Sequence, residues 1–454
     1  MLGREIEKGK LLKFLKGKDK ACLVYGLRRI GKSYLIQNAL TESGRKFLYF
    51  ECVEASIDTN LRLFCTSFGV MPTVPYATFL DAFIALGRME RNIVVVIDEY
   101  QNLSRGDNGD VDIDSLMQVA IDQASADMKI IICGSYVTAM KKLLEKENPL
   151  FGRLTPIIHL ESMDYLDSSL FYPDVDIREK ISFYSVFGGS PYINDSLAPK
   201  EGLRANIINA IVEQDSIARN YIENQLFKEI RKLDGINDIL SIIANGKKSY
   251  SDIQSRLTGR SNSYAADRLA VLENMGVIRK TTPINDRGNK KKARYEISDN
   301  LIRFYFAYIF SNRNAIQVLG GDAFFGSYIQ ESLDTFISYR FEGIVREYFS
   351  RLARKGKLPG ILDIGGFNYD DPKTRKDGEF DAALKFDEGY DVFEVKFLKE
   401  HMDEHLMRDE ISKINAIPSL KVKNSGLISS SGFASRMDGV ILIDGNDIYN
   451  SDLF

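Results

Sequence analysis

The sequence predicts an α/β protein built around a parallel sheet that helices cover on both faces. In the first third of the 454-residue chain, short apolar segments rich in β-branched residues alternate with amphipathic stretches, which is the pattern of βαβ units. No apolar run reaches the roughly 18 residues of a membrane-spanning helix, so these short runs match buried strands. The charges nearly balance, with 60 Lys and Arg against 63 Asp and Glu. This balance excludes a uniformly basic coat and confines any nucleic-acid surface to one region.

The pattern of predicted secondary structure changes twice in the remaining chain. These changes and the length of the whole chain suggest about three domains. Residues 162–233 are predicted to be mostly helical, and shorter helices with a basic stretch follow from residue 236. The four cysteines have no metal-ligand spacing, and the charged N-terminus lacks the apolar segment of a secretory peptide. We therefore expect reduced thiols, a cytoplasmic location and no membrane partner. The strands predicted in the first region are residues 21–25, 47–50, 93–97, 130–133 and 157–160.

The strongest chemical motif directly follows the first predicted strand and opens a predicted helix. Residues 26–33 read Gly-Leu-Arg-Arg-Ile-Gly-Lys-Ser and fit the pattern G-x-x-x-x-G-K-[ST]. In such a loop, backbone N–H groups and the positive end of the helix dipole surround a phosphate. We expect ATP as the cofactor, with Lys32 reaching its β- and γ-phosphates and Ser33 ligating Mg²⁺. The predicted nucleotide-binding residues are Gly26, Leu27, Arg28, Arg29, Ile30, Gly31, Lys32, Ser33 and Tyr34.

An apolar strand that ends in two carboxylates supports the same interpretation. Residues 93–97 are followed by Asp98 and Glu99. Asp98 is expected to hold Mg²⁺ through water, and Glu99 to polarise the attacking water as a general base. An intact pair of this kind favours hydrolysis of the nucleotide over binding alone.

Two further polar residues are candidates for sensing the nucleotide. Ser135 follows the fourth predicted strand, where a side chain can sense the γ-phosphate, although it can equally cap the next helix. Arg153 is either an arginine finger or sensor, or an ordinary surface arginine. As a finger, it would act within one subunit or on a neighbour in a homo-oligomer.

The middle of the chain predicts a winged helix. Residues 250–257 and 261–275 are predicted helices, and a hairpin begins at residue 277 and ends near residue 297. Helix, turn, helix and wing is a DNA-binding arrangement. Residues 279–294 contain seven Lys or Arg and one Asp, an excess that can neutralise phosphates of double-stranded DNA. The alternatives are a protein-contact module and a hairpin tip that is simply solvated.

Two segments near the C-terminus predict a hairpin that carries carboxylates and a lysine. Residues 378–384 and 390–396 are strand-like. With residues 388 and 389 as the turn, Asp381 lies opposite Lys396, and Glu394 shares a face with Lys396. Asp381 and Glu394 would then hold Mg²⁺ while Lys396 orients water, which is what phosphodiester hydrolysis requires. The alternative is an ordinary hairpin with a cross-strand salt bridge.

The ordered set of motifs resembles the prokaryotic archaeal-type ATPase family, a branch of the AAA+/STAND P-loop ATPases. Members often carry a C-terminal DUF234 region, and Asp381 with Glu394-Val395-Lys396 resembles the core of PD-(D/E)XK nucleases, to which Glu342 would add a further acid. The resemblance rests on Leu2-Gly3-Arg4-Glu5, the arginine-rich loop 26–33, Asp98-Glu99, Gly134-Ser135, Phe151-Gly152-Arg153 and the lid-like Phe187-Gly188-Gly189-Ser190-Pro191-Tyr192.

Residue patterns and resemblance together predict a P-loop NTPase parallel sheet with a helical lid, followed by a winged-helix domain and an α/β restriction-nuclease-like domain. The expected domains are residues 1–161 for the ATPase core, 162–235 for the lid, 236–310 for the winged helix-turn-helix and 311–454 for the DUF234 nuclease-like domain. Two functions remain open. One is an ATPase that couples turnover to DNA binding or processing, and the other is a slow ATP-dependent switch or scaffold with an inert nuclease-like module.

Overall fold

A computed structural model describes residues 3–67, 78–90, 92–103, 112–125, 127–225, 235–246, 248–257, 261–371, 376–417 and 421–453. They belong to two compact units, residues 1–162 and residues 163–454. Within the described ranges, no helix combines the length and the apolar character that crossing a bilayer requires.

The first unit consists of one sheet and its covering helices. Its strands are β1 (Ala21–Tyr25), β2 (Phe47–Glu51), β3 (Val94–Asp98), β4 (Lys129–Gly134) and β5 (Leu154–His159). Its helices are α1 (Glu5–Lys16), α2 (Lys32–Ser43), α3 (Ile57–Ser67), α4 (Phe79–Met89), α5 (Ile113–Gln123) and α6 (Val137–Lys142).

The five strands form a parallel sheet in the order β2-β3-β4-β1-β5, which confirms the predicted fold class. Strand β1 shows why the sheet is covered twice. Leu23 packs into the core with α3, α4 and α5, whereas Val24 packs into a second core with α1 and α2. Because successive side chains point to opposite faces, a wholly apolar strand requires helices on both sides.

The second unit begins with helices. They are α7 (Tyr165–Ser169), α8 (Ile177–Phe187), α9 (Pro191–Asn194), α10 (Gly202–Ile207), α11 (Ile217–Asn220), α12 (Ile236–Ala244), α13 (Tyr250–Arg256), α14 (Asn262–Asn274), α15 (Asn300–Phe304), α16 (Arg313–Leu319), α17 (Gly321–Phe324) and α18 (Leu333–Arg354). π-helical turns follow α10, α11, α15 and α17. Residues 226–234, at the end of the predicted lid, lie outside the described residues.

A two-stranded antiparallel hairpin, β6 (Ile278–Thr281) and β7 (Arg294–Ile297), follows α14. Helices α13 and α14 begin at side-chain caps. Ser249 and Asp252 form a reciprocal capping box at α13, and Ser261 caps α14. These elements lie where the sequence predicts two helices and a hairpin. Gly259, in the predicted turn between the helices, lies outside the described residues.

The C-terminal part of this unit contains a mixed sheet. Its elements are β8 (Asp363–Asp371), β9 (Lys376–Phe386), β10 (Gly389–Lys396), α19 (Glu404–Asn415), β11 (Val422–Ser429), β12 (Val440–Asp444) and α20 (Gly445–Ile448). The strand order is β12-β11-β10-β9-β8, with β10, β11 and β12 parallel and with β8, β9 and β10 antiparallel. Helix α18 packs its apolar side chains on one face of this sheet.

The register of the β9–β10 hairpin differs from the predicted one. Phe386 pairs with Gly389, so the turn residues are 387 and 388 and not 388 and 389. The pairing extends to Ala382 with Phe393, and one further step in the same register places Asp381 opposite Glu394. The prediction that Asp381 lies opposite Lys396 is therefore wrong, and the two carboxylates face each other directly.

Glu347 of α18 should make the stability of the second unit depend on pH. Its carboxylate accepts hydrogen bonds from Tyr184 Oη at 3.0 Å and from the Tyr165 amide at 3.2 Å. Burial, reinforced by Asp164, raises the pKa of Glu347 to about 7 from a usual value of 4.5. The folded state holds this proton more tightly than the unfolded state. The free energy of unfolding therefore falls as the pH rises from the usual pKa of 4.5 through the raised pKa of about 7.

We expect Glu347→Gln to abolish this loss, because the amide cannot ionise. The free energy of unfolding of the variant relative to wild type should rise between about pH 5 and about pH 8 by up to about 3 kcal/mol. Urea unfolding at both pH values measures this difference in the free energy of unfolding. Glu331→Gln, a change at an exposed site, should shift both measurements equally. A difference for Glu347→Gln that does not change with pH would contradict the assignment.

Candidate functional site

The loop between β1 and α2 is shaped to approach an anion with its backbone. A side chain at Gly26 would place Cβ 2.2 Å from the carbonyl oxygen of Leu160, so only glycine fits there. Gly31 has φ 94°, in the left-handed region, and immediately precedes α2. The residue that precedes that helix makes no side-chain capping hydrogen bond, so the first N–H groups of the helix can donate to the oxygen atoms of a phosphate.

Lys32 and Ser33 emerge from the first turn of α2 on the side of the loop. The Lys32 ammonium group is buried and donates to the carbonyl oxygens of Gly26 and Leu27 at 3.0 and 2.9 Å. The loop thus holds a positive charge inside its own curve. This position fits a phosphate that lies within the same curve.

Asp98, at the end of β3, is joined to the loop by a direct hydrogen bond. Ser33 Oγ donates to Asp98 Oδ2 at 2.9 Å, and the hydroxyl of Tyr49 on β2 donates to the same oxygen. The amide of Glu99 donates to Asp98 Oδ1 at 2.9 Å. Burial, followed by the charge of Asp98, raises the pKa of Tyr49, so this phenol remains a donor. Asp98 is held in one orientation by three donors.

Glu99 is held by two neutral side chains. Ser135 Oγ donates to Glu99 Oε2 at 2.6 Å, and Gln101 Nε2 donates to the same oxygen. Ser135 directly follows β4, and β4 lies between β1 and β3 in the sheet. The alternative role for Ser135 is not seen, since the residue before α6 is Tyr136 and no side chain caps that helix. Its role as a sensor stays a prediction.

The donors at this edge fit Mg²⁺ in the way that P-loop proteins hold it. Ser33 and Asp98 supply hard oxygen atoms in direct contact. In the described part of the chain, no group of three or more His, Cys, Asp or Glu side chains is placed to bind a metal ion. Two protein ligands are nevertheless sufficient, because Mg²⁺ usually completes its octahedron with phosphate oxygens and water.

Arg153 is not brought to this site within one chain. The parallel register pairs Ala21 with Leu154 and Tyr25 with His159, so Arg153 lies beside the start of β1. The loop of residues 26–33 follows the other end of β1, roughly 16 Å along the strand at about 3.3 Å per residue. Arg153 instead forms a salt bridge of 3.0 Å with Asp122. Action on a neighbouring copy stays a prediction.

A second group of charged residues lies on β9, β10 and α19. Lys396 Nζ is 3.0 Å from Glu394 Oε2 and 3.4 Å from Glu410 Oε2. The amide of Val395 donates to Asp381 Oδ2 at 3.0 Å, which ties Asp381 to β10. The structure therefore brings Asp381, Glu394 and Lys396 together, as predicted, despite the different register. Glu342 forms an ion pair of 3.7 Å with Arg346, which donates to the carbonyl oxygen of Asp381, and its role as a further acid stays a prediction.

The electrostatics of this group favour an added cation. Burial raises the pKa of both Asp381 and Glu394, and each carboxyl group lies close enough to a second acid to be raised further. Lys396 opposes this effect, and its own pKa is raised by Glu394 in spite of its burial. A divalent cation held by Asp381 and Glu394 would relieve the repulsion between them.

Comparison with known families identifies both ends of the chain. Residues 2–193 match an ATPase domain found predominantly in Archaea. Residues 305–414 match DUF234, a family of archaeal and bacterial proteins of unknown function. The chain carries an archaeal-type ATPase domain and a DUF234 region. This confirms the family that the motifs resemble.

Individual proteins are also similar to this chain. Uncharacterized protein MJECL04 of Methanocaldococcus jannaschii is 28% identical over 347 residues, which cover 76% of each chain. The Walker-type ATPase PABY2304 of Pyrococcus abyssi is 21% identical and superposes with a TM-score of 0.52 over 67% of this chain and 96% of its own. At that identity the second match supports the fold. The ORC2 protein of Aeropyrum pernix is 16% identical, with a TM-score of 0.48 over 70% of this chain and 95% of its own.

Three residues at these sites were not found from the sequence, and a fourth, Arg4, was named only as part of a motif that carries the family resemblance. Tyr49 and Gln101 orient Asp98 and Glu99, and Glu410 approaches Lys396 from α19. Arg4 is buried and donates to the carbonyl oxygens of Glu161 and of Ile30 in the P-loop. Gln101 had a usable signal, a polar residue two positions after Glu99. The others depend on contacts between distant segments.

We expect Arg153→Ala to leave the ATP affinity of the chain unchanged within about twofold, because Arg153 lies beside the opposite end of β1. Lys32→Ala should instead weaken ATP binding by at least about tenfold, since a charge-assisted hydrogen bond contributes about 1.5–3 kcal/mol. Equilibrium dialysis with labelled ATP compares the two variants. A loss in Arg153→Ala as large as that in Lys32→Ala would contradict the placement of Arg153.

Proposed function

We propose that the chain hydrolyses ATP at the loop of residues 26–33 and uses the nucleotide state to control how its second unit handles DNA. One observation carries the first half of this proposal. Ser33, Asp98 and Glu99 converge at the carboxyl edge of the sheet, with Asp98 bonded to Ser33 and Glu99 bonded to Ser135. Convergence of these groups is what hydrolysis of a Mg²⁺-bound triphosphate requires.

Each residue of the site has a distinct task. The amides at the start of α2 and the Lys32 ammonium group bind the phosphates, and Ser33 and Asp98 hold Mg²⁺, which neutralises charge on the phosphate oxygens. Glu99 accepts a proton from, or polarises, the attacking water. Ser135 and Gln101 fix the direction of the Glu99 carboxylate, so they act as positioning residues. The alternative, a slow switch, needs the same binding groups but no aligned Glu99.

The three helices α12–α14 and the hairpin β6–β7 support a winged helix. Helix α14 occupies the position of a recognition helix, and its described side chains include Arg268 but also Asp267 and Glu273. An exposed Asp and Glu disfavour deep insertion into a groove lined by phosphates. We therefore propose that the basic hairpin, and not α14, supplies the main attraction for DNA.

A nuclease is the second candidate activity, and a specific arrangement favours it. Asp381 and Glu394 face each other on adjacent strands, and Lys396 contacts Glu394. Two carboxylates that share a buried site with one lysine can bind Mg²⁺ and align water for attack on a phosphodiester. The inert alternative has the same geometry and would leave nucleic acid intact.

We expect Glu99→Gln to bind ATP with near wild-type affinity and to release phosphate at least about 100-fold more slowly, because the amide cannot accept the proton of the attacking water. Phosphate release measured with and without double-stranded DNA tests both halves of the proposal. Lys32→Ala is the control in which binding also fails. If wild type binds ATP but releases no phosphate in either condition, the switch is favoured over the ATPase.

We expect Asp381→Asn to abolish Mg²⁺-dependent cleavage of DNA by the full chain, because it halves the carboxylate charge available to the cation. The neighbouring change Asp391→Asn, on the same hairpin but bonded to Asn424, should leave cleavage unchanged. Gel analysis of labelled DNA with Mg²⁺ and with EDTA measures it. Cleavage that survives in Asp381→Asn would remove the nuclease assignment.

A further inference from the structure

The hairpin β6–β7 is attached to the C-terminal sheet along the segment between its two strands. The amide of Ile284 donates to the carbonyl oxygen of Gly366 at 2.9 Å, and Asn285 Nδ2 donates to that of Asn368 at 2.7 Å. Arg287 forms a bidentate pair with Asp363, at 2.7 and 2.6 Å. The hairpin therefore does not project freely into solvent as a DNA-inserting wing would.

Glycines on β8 allow this close approach. A Cβ at Gly365 would lie 2.5 Å from Ile284 Cγ2, and one at Gly366 would lie 2.5 Å from Glu379 Oε1. The register of β8 against β9 shifts at this pair of glycines. The bulge opens space between the hairpin and the sheet.

This space forms a cleft, which is lined by more basic than acidic side chains. Its volume of about 130 Å³ exceeds that of a single water molecule. The charged side chains that line the cleft are Arg287, Lys292, Arg294, Glu296, Arg346 and Glu379.

Close ion pairs neutralise two of these cations, and a longer ion pair of 3.7 Å engages Arg346 with Glu342. Arg287 is matched by Asp363, and Lys292 by Asp286 at 3.2 Å. Arg294 donates to the backbone carbonyl oxygens of Lys291 and Ala293. Arg346 donates to the carbonyl oxygen of Asp381 at 2.7 Å and is 3.7 Å from Glu342. A carbonyl group is a hydrogen-bond partner but does not cancel the charge of a guanidinium group.

Glu296, at the base of the cleft, cannot neutralise them because it is already surrounded by other arginines. It lies 2.6 Å from Arg279, 3.7 Å from Arg303 and 3.6 Å from Arg340, and it is 2% exposed. Burial alone would raise the pKa of Glu296, but these three arginines hold it well below the usual range. Burial, with Arg340 adding repulsion, lowers the pKa of Arg303 to about 9. At the base of the cleft, three arginines thus surround one carboxylate.

We propose that this cleft binds a phosphate group of a nucleic-acid backbone, held by the guanidinium groups of Arg294 and Arg346. Planar guanidinium groups match the oxygen atoms of a phosphate in pairs, which favours phosphate over a halide or a lone carboxylate. The proposal rests on the proposed handling of DNA and makes it specific. It assigns the contact to a cleft between hairpin and sheet in place of a wing tip.

The position of the cleft connects phosphate binding to the carboxylate group of Asp381 and Glu394. Arg346 lines the cleft and donates to the backbone of Asp381. Glu379 also lines it and is two residues from Asp381 on β9, and its charge contributes to raising the pKa of Asp381. A strand whose phosphate lies in the cleft therefore passes next to the residues proposed to hold Mg²⁺.

The test compares two changes that each remove one positive charge from the same hairpin in the full chain. Arg294→Gln removes a lining guanidinium group, whereas Lys290→Gln removes an exposed ammonium group at the tip. Fluorescence anisotropy of a labelled oligonucleotide should show affinity weakened by about tenfold or more in Arg294→Gln, since a charge-assisted contact is lost. Lys290→Gln should change affinity by less than about threefold, and Arg294→Lys should restore part of the loss.

Inorganic phosphate, titrated by calorimetry, separates the two sources of the ligand. Oligonucleotide binding that Arg294→Gln weakens supports a backbone phosphate. Binding of inorganic phosphate that is lost in Arg294→Gln, with no oligonucleotide binding in wild type, overturns the nucleic-acid source. Equal losses in Arg294→Gln and Lys290→Gln, or no loss in either, overturn the cleft.

Two controls keep these outcomes distinct from failure to fold and from failure of the proposed function. The thermal unfolding midpoint of each variant should match that of wild type, and Arg294→Lys keeps the positive charge of the site if Arg294→Gln does not fold. Basal phosphate release from ATP should be unchanged in Arg294→Gln, because Arg294 belongs to the second unit. If wild type does not hydrolyse ATP, the ATPase proposal is contradicted, but the oligonucleotide measurement still tests the cleft.

Discussion

The parallel register of β1, β4 and β3 is the constraint on which the nucleotide site depends. Tyr25 pairs with Gly134, and Ile97 pairs with Ile132, so the three strands end at one edge of the sheet. The residues after those ends, the P-loop, Ser135 and Asp98 with Glu99, come from segments more than 30 positions apart in the sequence and meet only there. Buried β-branched side chains of these strands pack against helices on both faces of the sheet, and this packing holds the strands together at that edge.

The second unit is organised by buried charge as well as by apolar packing. Arg279 on β6, Arg303 on α15 and Arg340 on α18 share the single carboxylate of Glu296 on β7. Transfer of such groups out of water is costly unless all partners are present, so the arrangement contributes specificity more than stability. It ties the hairpin to two helices that follow it in the sequence. The same cluster lies at the base of the cleft.

Much of the nucleotide site follows from sequence because its signals are local. Each of its three motifs spans only a few consecutive residues: the P-loop, the apolar strand that ends in two acids, and the strand followed by Gly134-Ser135. Their order along the chain is enough to place them on the sheet of a P-loop protein. Arg153 shows the limit of that reasoning. Its place in Phe151-Gly152-Arg153 left a finger or sensor and an ordinary surface arginine open, and only the pairing of Leu154 with Ala21 reveals which edge of the sheet it occupies.

The C-terminal site and the wing show two other limits. Residues 387–389 allow two-residue turns in neighbouring registers, and composition does not choose between them. The observed turn changes the partner of Asp381 from Lys396 to Glu394. For the wing, counting basic residues suggested a free cationic tip. The partner of Arg287 is Asp363, 76 positions further along the chain, and no local pattern reveals such an ion pair.

The end of the first unit is in direct contact with the P-loop. The carbonyl oxygen of Leu160 packs against Gly26 so closely that no side chain fits between them, and the Leu160 amide donates to Tyr25 at 2.7 Å. Arg4 then joins the next residue, Glu161, to Ile30 of the loop. These contacts join the P-loop to the segment at which the first unit ends. A coupled ATPase needs such a contact, whereas a site that merely stores nucleotide does not.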